Sequence, residues 1–160
     1  DASGAIVAAR AIDRRRLLGA GSASVGLAIF ASVPPIDAKA AAAIDVALAA
    51  FTGGVKPTTG RVQLEIAQLV ENGNAVPVAV TVESPMTATD HVTAIALFTE
   101  RNPQSEVARF DLGPRAGRAS VATRMRLATS QQVLAVARMN DGSFWSQSVD
   151  VVVLIAACIE

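Results

Sequence analysis

Cys158, the only cysteine among 160 residues, is the side chain best equipped for covalent chemistry. A lone thiol forms no internal disulfide, and third from the end of the sequence it is poorly placed for core packing. Its thiolate attacks electrophilic sulfur and can later leave again. From position alone three fates stay open: a covalent carrier thiol, an intermolecular disulfide, or no role. A lipoprotein cysteine would directly follow a signal, and a prenylated one needs three residues after it, where only Ile159 and Glu160 stand.

The other reactive side chains do not assemble into a motif. His91 is the only histidine and has neither a second histidine nor a spaced carboxylate to make a triad or a zinc site, so it reads as an ordinary polar residue at a strand start. Ser84, Ser120 and Ser130 have no base nearby in sequence. Gly53-Gly54 lacks the strand-to-helix context of a phosphate loop. Glu100/Arg101 and Glu106/Arg109 read as solvated pairs at strand edges or partner rims.

The segments that would position Cys158 fall into three parts. Residues 1–40 have the layout of an export signal. Arg14-Arg15-Arg16-Leu17-Leu18 fits a twin-arginine signal, which exports folded protein to the periplasm. A weakly apolar stretch follows to Val33, then Pro34-Pro35, then Ala38-Lys39-Ala40 as a cleavage site. The run from Leu17 to Val33 is broken by Gly and Ser and falls short of the roughly 20 apolar residues a membrane anchor needs, so no stable anchor is expected.

Residues 41–155 read as one domain, and residues 156–160 as a C-terminal arm. Removing 1–40 takes five of 14 basic and three of 14 acidic side chains, leaving nine and eleven, a net charge of −2. The seven arginines after Arg61 are dispersed, and one Trp, no Tyr and five Phe offer no stacking platform, so nucleic acid is not an expected partner.

Ile44, Ala47, Leu48 and Phe51 share one face of a short helix over 41–51, stopped by Thr52-Gly53-Gly54. From Arg61 the period changes to two. Strands are predicted at 61–66, 76–82, 92–99, 107–110, 119–127, 132–139 and 144–155, with Glu71-Asn72-Gly73-Asn74 and Asn140-Asp141-Gly142 as turns. The pattern is that of an all-β, antiparallel sandwich of about seven strands behind one N-terminal helix. Ala119, Val121, Thr123, Met125 and Leu127 should face inward. Strand 144–155 is apolar on both faces, Val149, Val151, Val153 and Ile155 on one and Val152 and Leu154 on the other. Such a strand should be central or covered by a partner.

The order of several segments resembles the SoxY family, the sulfur-carrier subunits of the bacterial Sox thiosulfate-oxidation system. They are Glu71-Asn72-Gly73-Asn74-Ala75-Val76-Pro77, Ser84-Pro85-Met86-Thr87, Phe98-Thr99-Glu100-Arg101-Asn102-Pro103 and Glu106-Val107-Ala108-Arg109-Phe110, then the stretches 119–128 and 133–143. The resemblance implies an immunoglobulin-like sandwich paired with a SoxZ-like subunit in the periplasm. It also implies Cys158 as the covalent attachment point, with no cofactor and no catalysis by the carrier itself. The enzymes would be partners: a SoxAX-type haem enzyme loading thiosulfate, a SoxB-type hydrolase releasing sulfate, and a sulfane dehydrogenase.

The functional end departs from the family pattern. Where the family has Gly-Gly-Cys-Gly-Gly, this chain has Ala156-Ala157-Cys158-Ile159-Glu160. Alanine narrows the backbone freedom that glycine gives, and Ile159 sets a stiff β-branched side chain beside the thiol. Glu160 and the terminal carboxylate disfavour thiolate and repel a dianion, less so where salt screens them.

Overall fold

The structure, a computed structural model, describes residues 36–157. The export-signal features of 1–35, the thiol of Cys158 and the last two residues lie outside the described residues.

Helix α1 spans Ile36–Thr52, five residues earlier than the predicted start at Ala41, and so runs through Ala38-Lys39-Ala40. An alanine-rich run has the highest helix propensity, and Pro34-Pro35 directly before it suits a helix start. The stop is as predicted: Gly53 and Gly54 take φ of 67° and 86°, and Gly54 N–H returns to the Ala49 carbonyl at 3.1 Å. Among the described residues no helix is long and apolar enough to cross a membrane.

Nine strands follow: β1 (Thr58–Thr59), β2 (Val62–Ile66), β3 (Leu69–Asn72), β4 (Val76–Val82), β5 (Val92–Thr99), β6 (Glu106–Asp111), β7 (Ala119–Met125), β8 (Gln131–Met139) and β9 (Phe144–Ile155). One sheet has the order β2-β4-β7 and the other β9-β8-β5-β6, all antiparallel, which is the immunoglobulin-type arrangement of strands A, B, E against G, F, C and C′. Seven of the nine strands are those the alternation predicts. The two short ones, β1 and β3, are additions, and both pair with β9 in parallel, so the sandwich is not purely antiparallel.

Inward residues of both sheets form the main core, with Val76, Val80, Ile95, Leu97, Leu127, Val133 and Val151 almost fully buried. Ala119 and Met125 are buried with them and Val121 and Thr123 half-buried, as the alternation requires. A second core lies on the outer face of the larger sheet. There α1 places Phe51 edge-on to Phe98 and Phe144, each ring centroid at 5.9 Å, with Ile44, Ala47 and Leu48 alongside. Strand β5 is therefore covered on both faces, Ile95 and Leu97 by the sandwich and Ala94, Ala96 and Phe98 by the helix.

Strand β9 is also hydrogen-bonded along both edges, to β8 on one and to β1 and β3 on the other. Val149, Val151 and Val153 share the inward face. Ile155, on the same face by alternation, lies past the end of the core: at the last rung of the β3 pairing, opposite Asn72, it is 63% exposed rather than covered. On the outer face Val152 and Leu154 are 50% and 63% exposed, so among the described residues nothing covers them, where the sequence pattern expected cover on both faces.

Candidate functional site

The segment that delivers Cys158 is built where β9 outlasts its partner β8. The β8 ladder ends with Gln131 opposite Val151. Beyond it, the Ser130 hydroxyl takes over: it accepts from Val153 N–H at 2.9 Å and faces the Val153 carbonyl at 3.4 Å. The other edge is held by β3, with Leu69, Val70 and Asn72 opposite Val152, Val153 and Ile155, and Val152 N–H donating to the Gln68 carbonyl at 2.8 Å. Two residues further, Ala157 N–H donates to the Leu127 carbonyl at 3.1 Å, and Leu127 N–H donates to the Gly73 carbonyl at 2.9 Å. Ala156 is exposed, but Ala157 is only 8% exposed. The predicted arm of 156–160 thus begins as a docked segment, held up to the residue before the thiol.

The dock is rigidly mounted. Asn102, in the β5–β6 loop, donates to the Arg126 carbonyl at 2.8 Å and accepts from Ala128 N–H at 3.0 Å and from Gln131 Nε2 at 2.9 Å. Buried Gln131 accepts from Arg101 N–H at 2.8 Å. Residues 126–131 are thereby stitched to the β5–β6 loop on one side while they hold the β9 extension on the other. Between β6 and β7 an open cleft of about 420 Å³, with Asn102, Arg124 and Arg126 in its lining, adjoins the same loop.

The remaining candidates serve structure. His91 lies at the opposite end of the sandwich, where its backbone N–H meets Asn140 Oδ1 at 3.0 Å, and its Nδ1 is buried without a hydrogen-bond partner. Ser84 organises the loop to Asp90, and Ser120 meets Thr81 across strands at 3.2 Å. Glu106 and Arg109 do pair, Nε to Oε1 at 2.9 Å, yet Arg109 also lies 4.9 Å from the Phe51 ring centroid and so helps clamp α1. Among the described residues no three His, Cys, Asp or Glu side chains cluster closely enough to hold a metal ion. The sequence signal for the site was the turn Glu71-Asn72-Gly73-Asn74, whose part in docking Ala157 spacing alone does not reveal.

Residues 48–158 match the family described as sulfur oxidation protein SoxY, a stretch that ends on Cys158. This chain belongs to the SoxY family. The sulfur carrier protein SoxY from Chlorobium limicola f thiosulfatophilum is 30% identical and superposes with a TM-score of 0.61, covering 71% of this chain and 94% of that one. A superoxide reductase (neelaredoxin) from Ignicoccus hospitalis superposes at 0.52 with 20% identity, over 59% of this chain and 80% of its own. A putative superoxide reductase from Thermotoga maritima gives 0.50 with 23% identity, over 64% and 89%. The last two share the sandwich fold alone. No curated protein sequence matches the chain.

Proposed function

We propose that this chain is a periplasmic sulfur-compound carrier that holds thiosulfate-derived groups covalently on Cys158 while partner enzymes act on them. The observation that carries the reading is the SoxY match, which runs through to the only thiol in the sequence. Loading joins the thiol to thiosulfate as Cys–S–S–SO₃⁻, with release of one proton and two electrons to a SoxAX-type haem enzyme. Hydrolysis by a SoxB-type enzyme then gives sulfate, a proton and a persulfide, and a sulfane dehydrogenase oxidises the persulfide sulfur. Export by the twin-arginine route fits Arg14-Arg15-Arg16-Leu17-Leu18, and Lys at positions 14 and 15 should leave the precursor in the cytoplasm.

The partner subunit is a SoxZ-like chain, seated on the outer face of β3 and β9. Leu69, Val152 and Leu154, each at least half exposed, make an apolar strip beside the segment that leads to Cys158, with exposed Ile155 at its end. Strips of this kind mark interaction surfaces. A second reading rests on the same strip and on the glycine-poor arm: a SoxY-like module that pairs with another chain without carrying sulfur. Incubation with thiosulfate, a SoxZ-like chain and the haem enzyme, followed by intact mass, separates the two. An adduct on Cys158 that is lost in Cys158→Ser supports the carrier. A paired but unmodified chain, beside an active control carrier, establishes the module.

A further inference from the structure

We propose that Gly73 is a positioning residue for the Cys158 thiol. Its missing side chain lets the Leu127 carbonyl latch the Ala157 amide, and this latch must open before the thiol can travel into a partner enzyme. The inference rests on the carrier reading, which it deepens. The reason for glycine here is space: a Cβ at position 73 would overlap the Leu127 carbonyl oxygen and stand 3.1 Å from both Ala157 N and Val153 Cγ1. Those are the acceptor of the latch, its donor and the wall beside it. The Gly73 carbonyl also accepts from Leu127 N–H, so one residue, Leu127, is held by Gly73 at its N–H and holds Ala157 at its C=O.

The strength of the latch suits a reversible device. One backbone hydrogen bond and one buried methyl group hold Ala157, and exposed Ala156 adds no buried side chain. The Ser130–Val153 bonds and the β3 rung at Ile155 lie upstream and stay closed when the latch opens. By covalent geometry alone, residues 156–158 once released reach up to about 10 Å beyond Ile155, at roughly 3.3–3.6 Å per extended residue. Where the family's glycines would leave the arm free, Ala157 supplies a methyl that the Gly73 site buries.

The test uses the full chain in three variants, and its exchange and alkylation arms need no sulfur compound, so their outcome is separable from that of the carrier reading. In the wild type the amide of Ala157 should exchange with deuterium about tenfold more slowly than in an unstructured peptide, the signature of a locally closed state. Gly73→Ala should abolish that protection. Because Gly73→Ala also crowds the turn between β3 and β4, Ala157→Pro is the decisive variant, since it deletes the donor and leaves the body untouched. It should raise the rate of Cys158 alkylation by a bulky maleimide several-fold, up to about tenfold, with an unchanged thermal midpoint. Ser130→Ala, which loosens the upstream clasp, should give a smaller rise in the same direction. In loading assays the KM for the carrier should fall in Ala157→Pro while kcat holds. Exchange of Ala157 at the unstructured rate in the wild type, or alkylation of Ala157→Pro within twofold of wild type, would overturn the latch.

Discussion

The two ends of β9 are finished differently. At its start Phe144 is buried under α1 against Phe51, Trp145 lies beneath the Arg61 guanidinium at 5.3 Å, and the tight turn at Asp141-Gly142 closes the hairpin. At its end the outer face carries Val152 and Leu154 with no cover from the described residues, and Ser130, β3 and the Leu127 carbonyl hold the backbone edge-on. The start is closed by the chain itself, in apolar area. The end is secured by hydrogen bonds and leaves its apolar area uncovered by the described residues, which is the surface proposed above to pair with another chain.

The contrast can be broken from either side. Phe51→Ala should cost the most, about 3 kcal/mol of unfolding free energy in a urea titration, because it empties the aromatic junction of α1, β5 and β9. A loss below about 1 kcal/mol would mean that the helix is not part of the cooperative fold. Leu154→Asp should leave the stability of the isolated chain within about 0.5 kcal/mol, since the side chain is 63% exposed. It should weaken pairing with a SoxZ-like chain at least about tenfold by titration calorimetry. Equal binding by this variant would move the partner to another face.

The smallest effect belongs to the closed end. Asp141 is held below the ordinary carboxylate range by Ser143, whose hydroxyl lies nearby and whose N–H donates to Oδ1 at 2.8 Å. A depressed folded pKa stabilises above the unfolded value of 3.8 and is lost as pH falls through the folded one. Asp141→Asn should therefore flatten the acid limb of the stability curve slightly, below about pH 4, and leave pH 7 behaviour at the β9 tail unchanged.

Much of the sandwich was legible because burial on one face writes period two into the sequence. Val121, Met125 and Leu127 read directly as the inward face of their strand. The strands β1 and β3 were not legible, because two or four residues carry no period and their existence depends on a distant neighbour, β9. Alanine looks the same at a signal cleavage site and in a helix, so the true start of α1 at Ile36 was hidden. At the site, the type of Cys158 was plain from its being unique. The docking of Ala157 was not, because it joins Gly73, Leu127 and Ala157 through backbone atoms that any sequence possesses. Only the glycine leaves a trace, and a turn explains it equally well.

The parallel pairing of β3 with β9 has a consequence in time. Leu69 and Val152 are partners across more than half of the chain, whereas the hairpin of β8 and β9 closes within a few residues. A long loop must surrender its entropy before its contacts repay it, so the β3 rungs assemble after the hairpins. The same rungs form a small, solvent-facing unit that unzips ahead of the body. A newly made molecule would thus order the segment that leads toward Cys158 only once its hairpins were in place.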